Sequence, residues 1–94
     1  MNKYESIVVF RPDLEDEARE ELLKKFTGII EKNGKVESVD DWGLKRLAYD
    51  IEKLSDGYFY LINFDSSPDL PKELERNYKI NDKVLRYNVI RKDA

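Results

Sequence analysis

The sequence predicts an α+β fold of the ferredoxin-like type: element order βαββαβ, a four-stranded antiparallel sheet, and two helices on one face of it. Three observations lead to this prediction: short runs rich in β-branched and aromatic residues, two stretches with helical periodicity, and turn-forming residues between them. The chain has 94 residues, so a single domain over residues 1–94 is expected. So short a chain needs its helices packed on the sheet to complete a core.

The first strand and the first helix are predicted from the N-terminal third. Residues 3–10 are β-branched and aromatic, and Pro12 ends the strand. Asp13 is a good N-cap for a helix over 14–33, and Gly34 is the predicted C-cap. The apolar residues of this helix recur at spacings of three and four: Leu14, Ala18, Leu22, Phe26, Ile29 and Ile30.

The second and third strands are predicted from the middle of the chain. Residues 35–41 form the start of the second strand, and Gly43 predicts a bulge or kink before the strand resumes at 44–51. The sequence Ser-Asp-Gly at 55–57 predicts a turn. Residues 58–64 are almost continuously hydrophobic, as expected of a central strand.

A second, shorter helix and a last strand complete the predicted order. Pro71 suits the first turn of this helix, which places Leu74 and Tyr78 on one face. The residues at 81–82 predict a turn, and residues 84–91 predict the last strand.

If both helices cover one face, each strand carries a core row and an outward row. The predicted core row consists of Tyr4, Val8, Phe10, Tyr60, Ile62, Phe64, Leu85, Tyr87 and Val89, and Val84 is expected to face outward. Several other outward residues are apolar and form the predicted open-face patch of Ile7, Val9, Phe59, Leu61 and Ile90. Its predicted polar rim is Glu5, Asn63, Asp65 and Arg86. Such a patch is typical of a protein-binding surface; ordinary surface hydrophobicity is the alternative.

Composition argues against catalysis, metals and cofactors. The chain has no cysteine and no histidine, which removes thiolate chemistry and the usual general base. An acylphosphatase-type enzyme of this fold would need a glycine-rich anion cradle near Arg11, where Pro12 and Asp13 stand instead. No carboxylates have metal-loop spacing, and no apolar run approaches a membrane span or a signal peptide. We therefore expect a soluble cytosolic protein without catalytic activity, small-molecule substrate or cofactor.

Two other binding modules share the predicted fold. An RNA-recognition domain would carry a basic and aromatic signature on its third strand, and residues 58–64 contain no lysine or arginine. A regulatory domain would dimerise through its sheet and bind a small ligand. The net charge of −3 argues mildly against general coating of nucleic acid, although basic residues gather mid-chain and near the C-terminus.

The segment 42–51, Trp-Gly-Leu-Lys-Arg-Leu-Ala-Tyr-Asp-Ile, resembles a hallmark of the bacterial family of small-subunit ribosomal protein number six. In that family a glycine is followed by basic residues and then by Leu-Ala-Tyr. Further matching positions follow in order along the whole chain: Tyr4, Glu5, Pro12, Gly34, Gly57, Tyr58, Asn81, Asp82 and the run 84–86. The sequence departs from the family at Asp50, where proline is usual, and at Ala94, where many members continue in a charged tail.

The resemblance implies the fold already predicted and a ribosome-associated protein of the bacterial cytoplasm. It implies binding to the central domain of 16S ribosomal RNA, in complex with small-subunit ribosomal protein eighteen, and a monomer when isolated. The open-face patch, together with Glu5 and Asn63, is the predicted surface for a protein partner.

The candidate RNA contacts are three cations. Lys45 and Arg46 match the basic pair that follows the family's glycine, and Arg86 matches the basic residue of its last strand. Such side chains reach phosphates, which dominate affinity for nucleic acid. The alternative is two solvated charges at Lys45 and Arg46, and for Arg86 an ion pair with an outward acid such as Glu5 or Asp65.

Two aromatic residues complete the candidates for RNA contact. Tyr49 could stack on a base or lie in the core. Trp42 could pack on RNA or a protein partner, or it could shield the predicted bulge.

Overall fold

The computed structural model describes residues 1–92 and has the predicted element order. The elements are β1 (Asn2–Phe10), α1 (Asp16–Asn33), β2 (Gly34–Ile51), β3 (Leu54–Ser66), α2 (Leu70–Ile80) and β4 (Val84–Arg91). All strand pairs are antiparallel, and the strand order across the sheet is β2-β3-β1-β4. The predicted ferredoxin-like fold is therefore confirmed. The expectation attached to the end of the chain at Ala94 lies outside the described residues.

The core lies between one face of the sheet and the two helices. Its buried members are Tyr4, Val8, Phe10, Leu22, Phe26, Ile30, Tyr60, Ile62, Phe64, Leu70, Leu74 and Tyr78. Aromatic rings connect the layers, because the Phe26 ring of α1 lies 6.1 Å from that of Phe10 and 4.6 Å from that of Tyr78 in α2, centroid to centroid. The Tyr78 and Ser6 hydroxyls lie 2.8 Å apart, so each buried group has a hydrogen-bonding partner.

α1 begins at Asp16, later than predicted, and Asp13 is not its N-cap. The N-cap residue is Glu15, which makes no side-chain capping hydrogen bond. The carboxylate of Asp13 lies 3.4 Å from the guanidinium of Arg11 instead, in the turn that follows β1. α2 agrees with prediction, since Pro71 lies in its first turn.

Gly34 follows α1 as predicted, but it already belongs to β2. Its φ is −170°, which is extended backbone and not the left-handed conformation of a glycine cap. A Cβ here would collide with the carbonyl oxygen of Asp65 and lie 2.8 Å from the Cβ of Ser66. Gly34 is therefore required by the close approach of β3.

β2 is one strand of 18 residues that contains the predicted bulge. The pairing register with β3 shifts between Asp41 and Gly43, and Gly43 has a φ of 75°. The N–H of Gly43 donates a hydrogen bond to the side chain of Asp41 over 2.8 Å, which holds the bulge in place.

The turn between β2 and β3 lies at Glu52 and Lys53, so the turn predicted at 55–57 is wrong. Both residues have positive φ, 50° and 67°, as a two-residue hairpin turn of type I′ requires. Gly57 lies inside β3 and is needed for packing, because a Cβ there would collide with the side chain of Val9. The hairpin extends beyond the end of β1, which pairs with β3 only as far as Phe10 opposite Tyr58.

A bulge in β4 reverses the predicted orientation of Val84 and Leu85. Phe10 pairs with Val84 while its neighbour Val9 pairs with Arg86, so Leu85 is the extra residue. Val84, predicted to face outward, packs against the core cluster. Leu85, predicted to lie in the core row, approaches Gly57 on the opposite face, near Val9.

Candidate nucleic-acid interface

The bulge in β2 brings Trp42 and Lys45 together. In a regular strand, residues three apart point to opposite faces, but the extra residue before Gly43 removes that alternation. The Nζ of Lys45 lies 5.2 Å from the centroid of the Trp42 ring, within the range of a cation–π contact. Trp42 is 40% exposed, so the ring is available both to this cation and to a ligand.

Tyr49 and Arg86 form a second pair of the same kind. The guanidinium carbon of Arg86, on β4, lies 5.3 Å from the centroid of the Tyr49 ring, on β2. Tyr49 is 63% exposed, which excludes the core position considered for it. Contact of Tyr49 with RNA stays a prediction.

The two pairs hold cations that are free of carboxylates. Within residues 1–92, neither Lys45 nor Arg86 takes part in an ion pair, and the acid nearest to one alternative, Asp65, pairs with Lys3 over 3.4 Å. Lys45 and Arg86 lie on strands at opposite edges of the sheet, three strand spacings or about 14 Å apart.

Lys45 and Arg46 do not share a face. Lys45 pairs with Gly57 and Arg46 with Asp56 in a regular part of the ladder, so their side chains leave the ribbon in opposite directions. Because β2 is an edge strand, a ligand contacts both only by wrapping around that edge. The candidates that share one surface are therefore Lys45, Trp42, Tyr49 and Arg86.

The open-face patch exists, but Val9 is not exposed in it. Neighbouring rows across β3, β1 and β4 are Phe59–Val9–Arg86 and Leu61–Ile7–Asn88, as the alternation predicts. Val9 is only 2% exposed, because the neighbouring side chains and the bulged β4 cover it. The prediction that Val9 contacts a partner directly is therefore wrong; it forms the floor of a cavity of about 220 Å³ whose walls include Ile7, Phe59 and Arg86.

The other predicted partner residues lie where the alternation places them. Glu5 stands between Asn63 and Ile90 in the next row of the same face. Ile90 is 49% exposed, while Ile7, Phe59 and Leu61 are half-buried. The amide of Asn63 donates to the Ser38 hydroxyl over 3.1 Å, so its position is fixed.

Comparison with known proteins agrees with this architecture along nearly the whole chain. The family model described as ribosomal protein S6 matches residues 3–91. The chain belongs to the ribosomal protein S6 family. It is 52% identical over 91 residues to the small ribosomal subunit protein bS6 of Alkaliphilus oremlandii, with 97% of each chain covered. It is 49% identical over 94 residues to that of Caldanaerobacter subterraneus subsp. tengcongensis, with 99% of each covered.

A solved structure gives the same result for the fold. The crystal structure of 30S ribosomal protein S6 from Thermotoga maritima matches with a TM-score of 0.91 at 30% identity, covering 97% of this chain and 87% of that one. Membership of the S6 family makes this chain a protein component of the small ribosomal subunit.

Two arginines that the sequence did not single out support the S6-family hairpin. Arg19 of α1 stacks on the Tyr58 ring at 3.7 Å and also contacts the Tyr60 hydroxyl and the Asp16 carboxylate. Arg11 donates to Glu52 at the hairpin turn over 3.2 Å. Only the position of Arg19 as the lone cation among six acids could have drawn attention to it.

A charged cluster closes the end of the open face away from the hairpin turn. Lys3 donates to Glu37 over 2.7 Å and to Asp65 over 3.4 Å. The hydrogen bond from Lys3 holds the pKa of Glu37 below its ordinary value, and the same bond with Glu37 raises the pKa of Lys3. These side chains are exposed, so the cluster is a weak contributor to stability.

Other kinds of site were sought in the part of the chain that the structure describes. Residues 1–92 contain no group of three or more acidic, histidine or cysteine side chains arranged to hold a metal ion. Over the same residues, neither helix is long and apolar enough to cross a membrane.

Proposed function

We propose that this protein binds the central domain of 16S ribosomal RNA in complex with small-subunit ribosomal protein eighteen, without catalytic activity, on ribosomes in the cytoplasm. The observation that carries the proposal is the pair of exposed cations, Lys45 and Arg86, each held against an exposed aromatic ring and without an ion pair among residues 1–92. The likeness to S6 proteins supports it.

The chemistry suits a folded RNA. Lysine and arginine neutralise phosphates, and aromatic or guanidinium planes stack on unpaired bases. The rings of Trp42 and Tyr49 restrict the neighbouring cations, so less side-chain entropy is lost on binding. A lysine and an arginine about 14 Å apart contact separate phosphates, which a shaped RNA junction presents and a short peptide does not.

A protein partner supplies what the charge of this chain lacks. With a net charge of −3, the protein is expected to bind RNA weakly alone. The open-face patch offers Ile90, Leu61 and the cavity floored by Val9 as apolar contacts for a partner. Affinity for RNA is then shared between two proteins.

The test measures binding to a central-domain 16S fragment, with and without protein eighteen, at several salt concentrations. Lys45→Ala and Arg86→Ala should each weaken binding of the complex about three- to tenfold and reduce the salt dependence by about one phosphate contact. Arg46→Ala should have a smaller effect because its side chain leaves the other face of the ribbon. Lys24→Ala, an exposed lysine of α1, is the matched control and should bind like the wild type.

The outcomes separate the proposal from its alternatives. Tight, salt-sensitive binding only with protein eighteen, weakened by the Lys45 and Arg86 variants, supports it. No binding in either condition, with a stable homodimer of this chain instead, favours a regulatory domain that dimerises through its sheet. Equal loss in the Lys24 control would reduce the effect to net charge and remove the assigned contacts.

A further inference from the structure

α2 and β4 carry a positive charge that the rest of the chain does not. Residues 70–92 contain seven lysines and arginines against three acids, a net charge of +4. Residues 1–69 contain ten against sixteen, a net charge of −6. The two elements pack side by side at one edge of the molecule, because β4 is an edge strand and α2 lies against it. The separation of charge in sequence is therefore also a separation in space.

Three of these cations form a stripe along α2. Lys72, Arg76 and Lys79 are spaced by four and three residues, so they lie on one helix face over about 10 Å. With Glu75 and Tyr87 of β4 they line an open groove of about 380 Å³. All three are exposed.

The stripe is not compensated by the acids beside it. None of the three cations forms an ion pair within residues 1–92, although Glu75 lines the same groove. Lys72 and Arg76, four residues apart, repel each other mildly and so do not favour the helix. An uncompensated stripe of this kind has its charge available for an external anion.

The stripe is continuous with the surface already assigned to RNA. Arg86 leaves β4 on the open face, and the α2 stripe borders the same strand on the other face. Cations thus flank both sides of one sheet edge. The acidic remainder of the chain repels a polyanion, which restricts its approach to this edge.

We propose that the edge formed by α2 and β4 is a second phosphate-binding surface, one that contacts the backbone of a double-helical RNA segment through Lys72, Arg76 and Lys79. This inference rests on the proposed function and extends it to a face that the family motif at 42–51 does not include. An RNA backbone fits better than an acidic protein, because the groove lining is mainly charged and lacks the apolar anchors that protein interfaces use.

The first test uses an RNA duplex of unrelated sequence, because phosphate contacts carry no sequence information. The full-length, isotope-labelled protein is titrated with the duplex at low salt and followed by NMR. Amide signals of α2 and β4 should shift most and do so saturably. Shifts confined to the hairpin, or no saturable shifts at all, would overturn the proposal.

The second test compares two variants that each lose three positive charges. Lys72→Ala/Arg76→Ala/Lys79→Ala should weaken duplex binding about tenfold or more and lower the slope of log affinity against log salt by about 2. Its control is the triple alanine variant of three exposed lysines on α1: Lys24, Lys25 and Lys32. The control should bind within about twofold of the wild type at 0.15 M salt. Alanine favours helix, so both variants should keep the wild-type circular dichroism.

The design distinguishes this inference from the proposed function. Loss of binding to the central-domain fragment in the Lys45 and Arg86 variants, with the α2 variant like wild type on both RNAs, would overturn the inference alone. Saturable duplex binding through α2 by a protein that ignores the central-domain fragment would support the inference and refute the proposed target. Equal weakening by the α1 control, or equal affinity for polyglutamate, would overturn the inference.

Discussion

Replacing glycine by alanine at two positions applies one chemical change to opposite surroundings. At Gly34 the added Cβ would collide with the carbonyl oxygen of Asp65, and it would lie 2.8 Å from the Cβ of Ser66 and 3.2 Å from the carbonyl oxygen of Ile30. Two of these neighbours are backbone atoms, and the third belongs to a fully buried residue, so none can move cheaply.

The expected cost of Gly34→Ala follows from this overpacking. Inserting a methyl group into a closely packed site typically destabilises by about 1–3 kcal/mol, and the backbone neighbours place this site at about 2–3 kcal/mol. For a domain of this size that corresponds to a fall in Tm of about 8–24 °C. The extended φ of −170° adds no strain, so the whole effect comes from packing.

Gly28 provides the matched control with the opposite sign. It lies inside α1, is exposed, and has nothing within 4 Å of an added Cβ. Alanine is a better helix former than glycine, so Gly28→Ala should stabilise the protein by about 0.5–1 kcal/mol.

Urea unfolding followed by circular dichroism measures both variants, with the slope m checked for two-state behaviour. The packing argument at the start of β2 is refuted if Gly34→Ala changes the free energy of unfolding by less than about 0.5 kcal/mol. Destabilisation by Gly28→Ala would contradict the exposed helical environment of that residue.

Tyr78→Phe should lower the free energy of unfolding by about 1–3 kcal/mol, because it leaves the buried Ser6 hydroxyl without its partner; adding Ser6→Ala should recover part of that loss in a denaturant titration, and no recovery would contradict the pairing. Burial raises the pKa of Tyr78, so wild-type stability should be intact below pH of about 10 and fall above it as the unfolded chain ionises; the fall should be shallower in Tyr78→Phe, and identical profiles would exclude the effect. The hydrogen bond from Lys3 lowers the pKa of Glu37, so Lys3→Met should raise that pKa in an NMR titration, and the stability contributed by the pair should be present above a pH of about 4.3 and lost as the pH falls through the lowered value; an unchanged Glu37 pKa would rule out this contact. Ile90→Asp should weaken binding of protein eighteen at least about tenfold in calorimetry without changing the unfolding midpoint, since Ile90 is 49% exposed; unchanged affinity would remove it from the partner surface.

Several structural features could be predicted because they depend on residues close in the chain. Alternating apolar residues in β1 and β3 lie in the core as predicted, and Pro71 begins α2. Gly43 marks a bulge with positive φ, as glycine inside a strand often does. In each case the local preference of the backbone and the burial of one face favour the same conformation.

Other local signals failed where tertiary packing opposed them. The sequence at 55–57 favours a turn, but Gly57 serves the close approach of Val9, and the turn forms at Glu52 and Lys53. The single extra residue at Leu85 exchanges the faces of neighbouring side chains, because strand alternation has a period of two. No apolar pattern in 84–91 reveals where such a residue is inserted.

The candidate site divides in the same way. The residue types of the cations and aromatic rings, and their resemblance to the S6 family, were evident from the segment 42–51 and from Arg86. The pairing of Arg86 with Tyr49 was not, because it joins strands at opposite edges of the sheet, and neither was the separation of Lys45 from Arg46 onto opposite faces.

The sequence by itself determined the order of the elements, the main core rows and the family of this protein, because periodicity, turn chemistry and motif spacing are properties of neighbouring residues. The tertiary structure alone decided the burial of Val9, the two cation–aromatic pairs and the meeting of the α2 stripe with β4. These features depend on strand register and bulges, which are set by packing between segments distant in the chain.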